Sequence, residues 1–103
     1  MSDLLIRIKR AVIAGNLDFS EKARIEMLLD NLQDTDVAES ILGAFRIEKT
    51  IRSTSPYRYS AREYLHIIKG QNLDGIEIYT KGKLVKYGGV ETYYLLISAK
   101  CAT

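Results

Sequence analysis

The sequence predicts one α+β domain spanning residues 1–103, with N-terminal helices packed on one face of a mostly antiparallel C-terminal sheet. The first observation is a change of period, because apolar residues recur at helical spacing up to Gly43 and alternate at strand spacing after it. The second is the order of the elements, since helices followed by a meander of strands are typical of this class. The third is the length of 103 residues, which suits a single domain.

Three helices are expected in the first 43 residues. The first is predicted from apolar residues at helical spacing and ends at Gly15; these residues are Leu4, Leu5, Ile8 and Val12. The second begins after Ser20, which is a favourable N-cap. The third begins in an aspartate-rich stretch, where Asp36 and Glu39 have the spacing of a capping box, and it ends at Gly43.

Five strands are expected in the rest of the chain. They are predicted at residues 45–52, 64–68, 75–79, 84–87 and 93–99. Residues 81–83 are interpreted as the hairpin connection between the third and fourth strands, and residues 53–60 as a mobile loop. The last strand is the most apolar, so we expect it at the centre of the sheet.

The composition indicates a cytoplasmic protein. Cys101 is the only cysteine, so no internal disulfide can form, and this is typical of a reducing compartment. The N-terminus lacks the pattern of a signal peptide, and no apolar run approaches the ~20 residues that cross a bilayer. We therefore expect no membrane partner. The sequence leaves open a homo-oligomer, for example one linked through Cys101.

Charge is divided unevenly along the chain. Residues 1–43 carry five Lys/Arg against eight Asp/Glu, whereas residues 44–103 carry ten against five. A basic sheet half of this kind is typical of a surface that faces nucleic acid. Surface lysines scattered by chance would produce the same division, so charge alone leaves both interpretations open.

Several classes of site are excluded by what the sequence lacks. No glycine-rich phosphate-binding motif is present, and one cysteine with one histidine cannot supply the ligands of a zinc site. A nucleophilic pair of Cys101 and His66 would need a scaffold that the extreme C-terminus does not offer. We therefore expect neither a metal nor another cofactor.

Basic and aromatic residues interleave through the second half, a mixture that suits RNA. Metal-free RNA cleavage needs a proton acceptor, a proton donor and positive charge on the phosphorane, and His, Tyr, Lys and Arg can fill these roles. The candidate catalytic residues are Lys49, His66, Tyr79 and Lys100. The candidate RNA-binding residues are Arg46, Arg52, Arg58, Arg62 and Tyr87.

Each candidate has a structural alternative. A single histidine in a strand, such as His66, is more often structural than catalytic. The Lys49 stem could extend to water from an apolar face, and Lys100 could be a solvated strand end. Arg58 and Arg62 could serve solubility alone, and tyrosines are simply favoured in strands.

Four stretches carry a resemblance to a known family. They are Ile8-Lys9-Arg10-Ala11-Val12-Ile13-Ala14-Gly15, Ile41-Leu42-Gly43, Lys49-Thr50 and Leu95-Leu96-Ile97-Ser98-Ala99-Lys100. The chain resembles the RelE-type toxins of bacterial toxin–antitoxin pairs, and among them the MqsR toxins most. It is also similar to a family of small uncharacterised domains found beside zinc-finger antitoxins.

The resemblance implies a RelE-like fold and an endoribonuclease that cuts messenger RNA, held in check by a DNA-binding antitoxin that can carry a zinc finger. It places the family's two lysines at Lys49 and Lys100, and its tyrosine at Tyr79 or Tyr87. The family's glutamine falls near His66, which is a departure from its pattern. The alternative function is a non-enzymatic module with a toxin-like fold that docks a partner protein through its acidic helices or a sheet edge.

Overall fold

The computed structural model describes residues 3–53, 63–87 and 91–102, and it confirms the α+β class. The elements are α1 (Asp3–Ile13), β1 (Leu17–Phe19), α2 (Glu21–Leu29), α3 (Asp34–Leu42), β2 (Lys49–Arg52), β3 (Tyr64–Gln71), β4 (Glu77–Tyr87) and β5 (Glu91–Cys101). The predictions made for Arg58, Arg62 and most of the loop 53–60 lie outside the described residues.

The five strands form one sheet in the order β1-β5-β4-β3-β2. All neighbouring strands are antiparallel except β1 and β5, which are parallel. The centre of the sheet is therefore β4, and the expectation that the apolar last strand is central was wrong. The strand β1 was not predicted, because its three residues are too few to show an alternating pattern.

All three helices pack on the same face of the sheet. Their buried residues join those of the strands in one apolar cluster, which includes Leu5, Ile8, Met27, Val37, Ile41, Ile68, Ile78, Tyr94 and Leu96. Because side chains alternate along a strand, residues two positions from Ile68 or Ile78 also face the helices. The other face of the sheet carries no helix in the described part of the chain.

The strand β4 runs without a break through residues 81–83, so the hairpin predicted there is wrong. Gly82 is needed for a different reason: a Cβ at this position would lie 2.8 Å from both the Tyr94 ring and the Leu95 carbonyl oxygen. The register between β4 and β5 shifts by one residue between Lys81 and Gly82. The close approach of Tyr94 therefore explains a glycine that resembles a turn signal.

The true connection between β3 and β4 is the turn at residues 72–76. The side-chain oxygen of Asn72 accepts hydrogen bonds from the backbone N–H groups of Asp74 and Ile76, at 3.0 and 2.8 Å. Gly75 has a φ of 80°, which favours glycine. These contacts pair Gln71 with Glu77 and so determine the register of the whole hairpin.

Helix caps were predicted in part. Ser20 caps α2 as expected, accepting a hydrogen bond from the Ala23 N–H at 3.1 Å. At α3, however, the Asp36 carboxylate accepts from the Gln33 N–H at 2.8 Å, so the capping pair lies three residues earlier than predicted. Glu39 accepts instead from the Leu73 N–H at 3.0 Å and fastens the β3–β4 turn to the helix.

Acidic side chains of α2 and of its C-cap residue cover the part of the β5 edge that lies beyond β1. The Glu26 carboxylate accepts a hydrogen bond from the Ala99 N–H at 3.3 Å, and the Asp30 carboxylate accepts from the Cys101 N–H at 2.8 Å. Free backbone donors at a sheet edge invite pairing with another strand. Glu26 and Asp30 therefore close this edge and bring α2 close to the end of β5.

Candidate nucleic-acid interface

The face of the sheet without helices, here called the open face, carries a row of three polar residues. Lys69 of β3 pairs with Tyr79 of β4, which in turn pairs with Lys100 of β5. All three belong to the side-chain set opposite Ile68 and Ile78, so they share the open face. Since neighbouring strands lie about 4.8 Å apart, the three side chains are immediate neighbours.

A second row on the open face adds two more lysines. Lys49 pairs with Ile67, and Ile67 pairs with Lys81. No carboxylate among the described residues forms an ion pair with Lys49, Lys69 or Lys81. The open face therefore presents three ammonium groups without a neutralising partner in the described part of the protein.

Lys100 is held over Tyr79 by a residue of α2. The Lys100 Nζ lies 5.5 Å from the centroid of the Tyr79 ring and 3.9 Å from Glu26 Oε2. The other carboxylate oxygen, Glu26 Oε1, accepts hydrogen bonds from the Ser98 hydroxyl at 2.7 Å and from the Ala99 N–H. Glu26 thus fastens α2 to β5 and limits where the Lys100 ammonium can move.

His66 lies on the helix-covered face, two residues from the buried Ile68. Its Nδ1 is 3.1 Å from the Thr50 hydroxyl on β2, and burial lowers the pKa of the imidazole from 6.5. The neutral form therefore predominates at neutral pH. The imidazole cannot reach a substrate bound at Tyr79, because the sheet separates the two side chains.

The candidate catalytic residues therefore do not form one site. Lys49, Tyr79 and Lys100 share the open face, whereas His66 is on the opposite face. Lys49 also stands three strands from Lys100, roughly 14 Å across the sheet. The residue of β3 that pairs with Tyr79 is Lys69.

Three of the five candidate RNA-binding residues, Arg46, Arg52 and Tyr87, lie in the described part of the chain, and they belong to different parts of the sheet half. Arg46 forms an exposed ion pair with Glu48 at 3.3 Å, and Arg52 stands opposite Tyr64 in the β2–β3 ladder. Tyr87 is half exposed at the end of β4, with its ring centroid 4.9 Å from that of Tyr93. Arg46 lines a pocket together with Lys69, so of these three residues it is the one that the structure places near the row on the open face.

Three residues of this surface were missed: Lys69, Lys81 and Glu26. The signal for Lys69 was available, because a five-residue turn at 72–76 pairs Gln71 with Glu77 and hence Lys69 with Tyr79. The hairpin predicted at residues 81–83 implied a different strand pairing, so the register of β3 against β4 was not recognised. Glu26 could not have been found this way, since its contacts join residues more than 70 positions apart.

A cleft of about 700 Å³ lies where the N-terminal part of α1 meets the ends of β3 and β4. Its lining residues are Leu4, Arg7, Glu63, Tyr64, His66, Lys83, Leu84, Val85, Lys86, Tyr87 and Leu95. Glu63 and Lys83 form an ion pair at 2.7 Å, and both side chains are largely buried. The cleft brings His66 together with Tyr87, which the sequence analysis had assigned to different roles.

The lowered pKa of His66 predicts a stability that depends on pH. The unfolded chain binds the proton more tightly than the folded protein, so the free energy of unfolding should fall as the pH drops through 6.5. Urea denaturation between about pH 7.5 and 5.5, above the titration of ordinary carboxylates, measures this loss. His66→Gln should flatten the profile, whereas an equal slope in the variant would contradict the assignment.

Two kinds of feature are absent from the described ranges. No group of three or more His, Cys, Asp or Glu residues there is arranged to hold a metal ion. No helix there is long and apolar enough to span a membrane.

Similarity to known proteins does not assign a function to this surface. A function for the chain therefore has to be inferred from its own side chains. Comparisons with models of protein families, with curated proteins and with solved structures found no match.

Proposed function

We propose that this chain is the toxin of a bacterial type II toxin–antitoxin pair, a metal-independent endoribonuclease that binds messenger RNA on the open face. The observation that carries the proposal is the row of Lys69, Tyr79 and Lys100, with Lys49 and Lys81 beside it, which have no ion-pair partner among the described residues. The resemblance to RelE-type toxins, noted from the sequence, supports the same activity.

The chemistry of the open face suits single-stranded RNA. Lysine ammonium groups bind phosphates as point charges, and an aromatic ring between them offers a surface on which an unstacked base can lie. Tyr79 occupies that central position, between Lys69 and Lys100. The apolar Ile67 lies between Lys49 and Lys81 and adds a second uncharged contact surface.

Cleavage of RNA without a metal proceeds by attack of the 2′-oxygen on the phosphorus as the bond to the 5′-oxygen breaks, leaving a 2′,3′-cyclic phosphate and a 5′-hydroxyl. Lys69 and Lys100 stabilise the charge that develops on the phosphorane. Because His66 is on the other face, proton transfer is assigned to the Tyr79 hydroxyl and the lysine amines. Glu26 acts as a positioning residue for Lys100.

An antitoxin that inhibits this nuclease has to cover the open face. Because Lys49, Lys69 and Lys81 have no carboxylate partner within the described residues, the covering segment is expected to be acidic. In keeping with the family resemblance, we propose that the rest of the antitoxin binds DNA.

The test is induced expression in a bacterial host together with cleavage of RNA by the purified protein. We expect growth arrest with loss of messenger RNA, and cleavage that persists in EDTA and yields cyclic phosphate ends. Lys100→Ala should lower the cleavage rate by about 100-fold, the usual cost of removing one charge-stabilising group. Lys22→Ala, which removes an exposed lysine of α2, is the matched control and should retain full activity. RNA left intact with and without ribosomes would overturn the proposal.

One observation favours a second candidate, a non-enzymatic module that docks a partner protein. Ile25, Leu28 and Leu29 of α2 are 52, 81 and 79 % exposed and form an apolar stripe at helical spacing. A module of this kind predicts that Lys100→Ala leaves any effect on growth unchanged. It also predicts that Leu28→Ser with Leu29→Ser abolishes that effect. The nuclease proposal predicts instead that Lys100→Ala slows RNA cleavage by the purified protein and that the double leucine variant cleaves RNA at the parent rate.

A further inference from the structure

The cleft between α1 and the ends of β3 and β4 is a second site with binding chemistry, separate from the row on the open face. Its volume of about 700 Å³ is in the range of small-ligand sites. Leu4 from α1 and Leu84 from β4 line it, and both also contact the apolar core, so its inner wall is supported by packed residues. A site supported in this way is largely formed before a ligand arrives.

The cleft carries positive charge that no described carboxylate neutralises. Arg7 and Lys86 both line it and are exposed, and neither has an ion-pair partner among the residues described. Among the described lining residues, the only carboxylate belongs to Glu63, which forms an ion pair with Lys83. Within this part of the chain, Arg7 and Lys86 are therefore available to an anionic group, and a guanidinium matches phosphate geometry well.

Aromatic surface and one polar ring complete the lining. Tyr64 is 48 % exposed, so its ring can contact a ligand. Tyr87 is 47 % exposed, and its ring already packs against that of Tyr93. His66 also lines the cleft, and its Nδ1 is occupied by the Thr50 hydroxyl. The Nε2 atom has no partner in the described ranges, which leaves it as the ring nitrogen that can hydrogen-bond to a bound group.

We propose that this cleft binds a nucleoside monophosphate, with the phosphate on Arg7 and Lys86 and the base against Tyr64 within reach of His66. The combination selects this class of ligand, because inorganic anions would leave the apolar and aromatic walls unused. An uncharged aromatic molecule would leave the cations unused. The nucleotide can be a free molecule or one unit of an RNA strand, since both present the same base and phosphate.

Equilibrium binding by calorimetry tests the proposal directly and needs no cleavage activity. The four nucleoside 5′-monophosphates are compared with the parent nucleosides and with inorganic phosphate. We expect at least one monophosphate to bind, and both comparison ligands to bind at least about tenfold more weakly. Arg7→Ala should weaken the monophosphate about tenfold, as should Lys86→Ala. Lys22→Ala, which removes an exposed lysine of α2 outside the cleft and the open-face row, is the control and should change the affinity less than twofold.

Circular dichroism and thermal melting confirm that the variants, which alter only exposed side chains, remain folded. Absence of monophosphate binding at millimolar concentration would overturn the proposal, as would binding that is insensitive to both Arg7→Ala and Lys86→Ala. Displacement of the monophosphate by a short oligoribonucleotide identifies RNA as the source, and failure to displace it identifies a free nucleotide. If RNA remains intact while the monophosphate binds, the nuclease proposal fails and the cleft proposal stands.

Discussion

Gly70→Ala is expected to destabilise the fold by about 3 kcal/mol or more. A Cβ at this position would lie 2.0 Å from the Ser40 carbonyl oxygen and 2.9 Å from the Ser40 carbonyl carbon. Both atoms belong to the backbone of α3, which cannot turn aside as a flexible side chain can. Relief of the clash therefore requires α3 to move away from the sheet or β3 to bend out of its ladder.

Either movement disturbs the core. Val37 and Ile41 of α3 are fully buried, and the Ser40 hydroxyl donates a hydrogen bond to the Val37 carbonyl at 2.7 Å. Lifting α3 would expose these side chains to water, at a cost of about 25 cal/mol for each Å² of apolar surface.

Urea denaturation measures the effect as a shift of the midpoint at constant slope. Gln71→Ala is the matched control, because it alters the adjacent and exposed residue of β3 and should cost less than about 0.5 kcal/mol. If Gly70→Ala and Gln71→Ala lose equal stability, the close approach of α3 to β3 does not constrain the fold.

Gly70 also illustrates why the sheet was only partly predictable. A glycine in sequence suggests a turn, yet Gly70 lies in β3 and its requirement comes from α3. The same holds for Gly82, whose close neighbour is the Tyr94 ring on β5. Local patterns contain no information about these contacts, because they depend on how distant elements pack.

The helices were predicted more accurately, because their signals are local. Apolar spacing and the Ser20 cap define α1 and α2 within a few residues. Phe45 shows the limit of such patterns: it was assigned to a strand by alternation, yet it precedes β2 and is 89 % exposed. Alternation indicates that a strand is compatible with the residues but does not supply a neighbouring strand to pair with.

The candidate site was also predictable only in part. Of the predicted site residues, Lys49, Tyr79 and Lys100 share the open face. The choice of His66 rested on its chemistry alone, and the chemistry of a side chain does not reveal which face of the sheet it occupies. That property depends on strand register, and therefore on the turn at 72–76.

Removing Lys49, Lys69 and Lys81 together is expected to weaken the binding of single-stranded RNA by about 100-fold at 0.1 M salt. Each phosphate contact on a single strand contributes about 0.7 to the slope of log affinity against log salt concentration. At 0.1 M salt this corresponds to about fivefold per contact, so three contacts give about 100-fold. Lys49, Lys69 and Lys81 are suitable for the test because, in the described part of the chain, they have no ion-pair partner whose loss would destabilise the fold.

The salt dependence separates a specific surface from general attraction to a basic protein. For the triple variant Lys49→Ala/Lys69→Ala/Lys81→Ala the slope should become shallower by about 2, because three fewer counterions are released.

The control is Arg10→Ala/Lys22→Ala, which removes two exposed charges from the helical side of the molecule. Long-range attraction to net charge would weaken binding by a similar factor per charge in both variants. Contact on the open face predicts a change of less than about threefold in the control, with its slope unaltered, because screened charges more than a Debye length from the RNA contribute little. Fluorescence anisotropy with a labelled oligoribonucleotide between about 0.05 and 0.3 M salt supplies both quantities, and equal losses per charge would remove the open face as the binding surface.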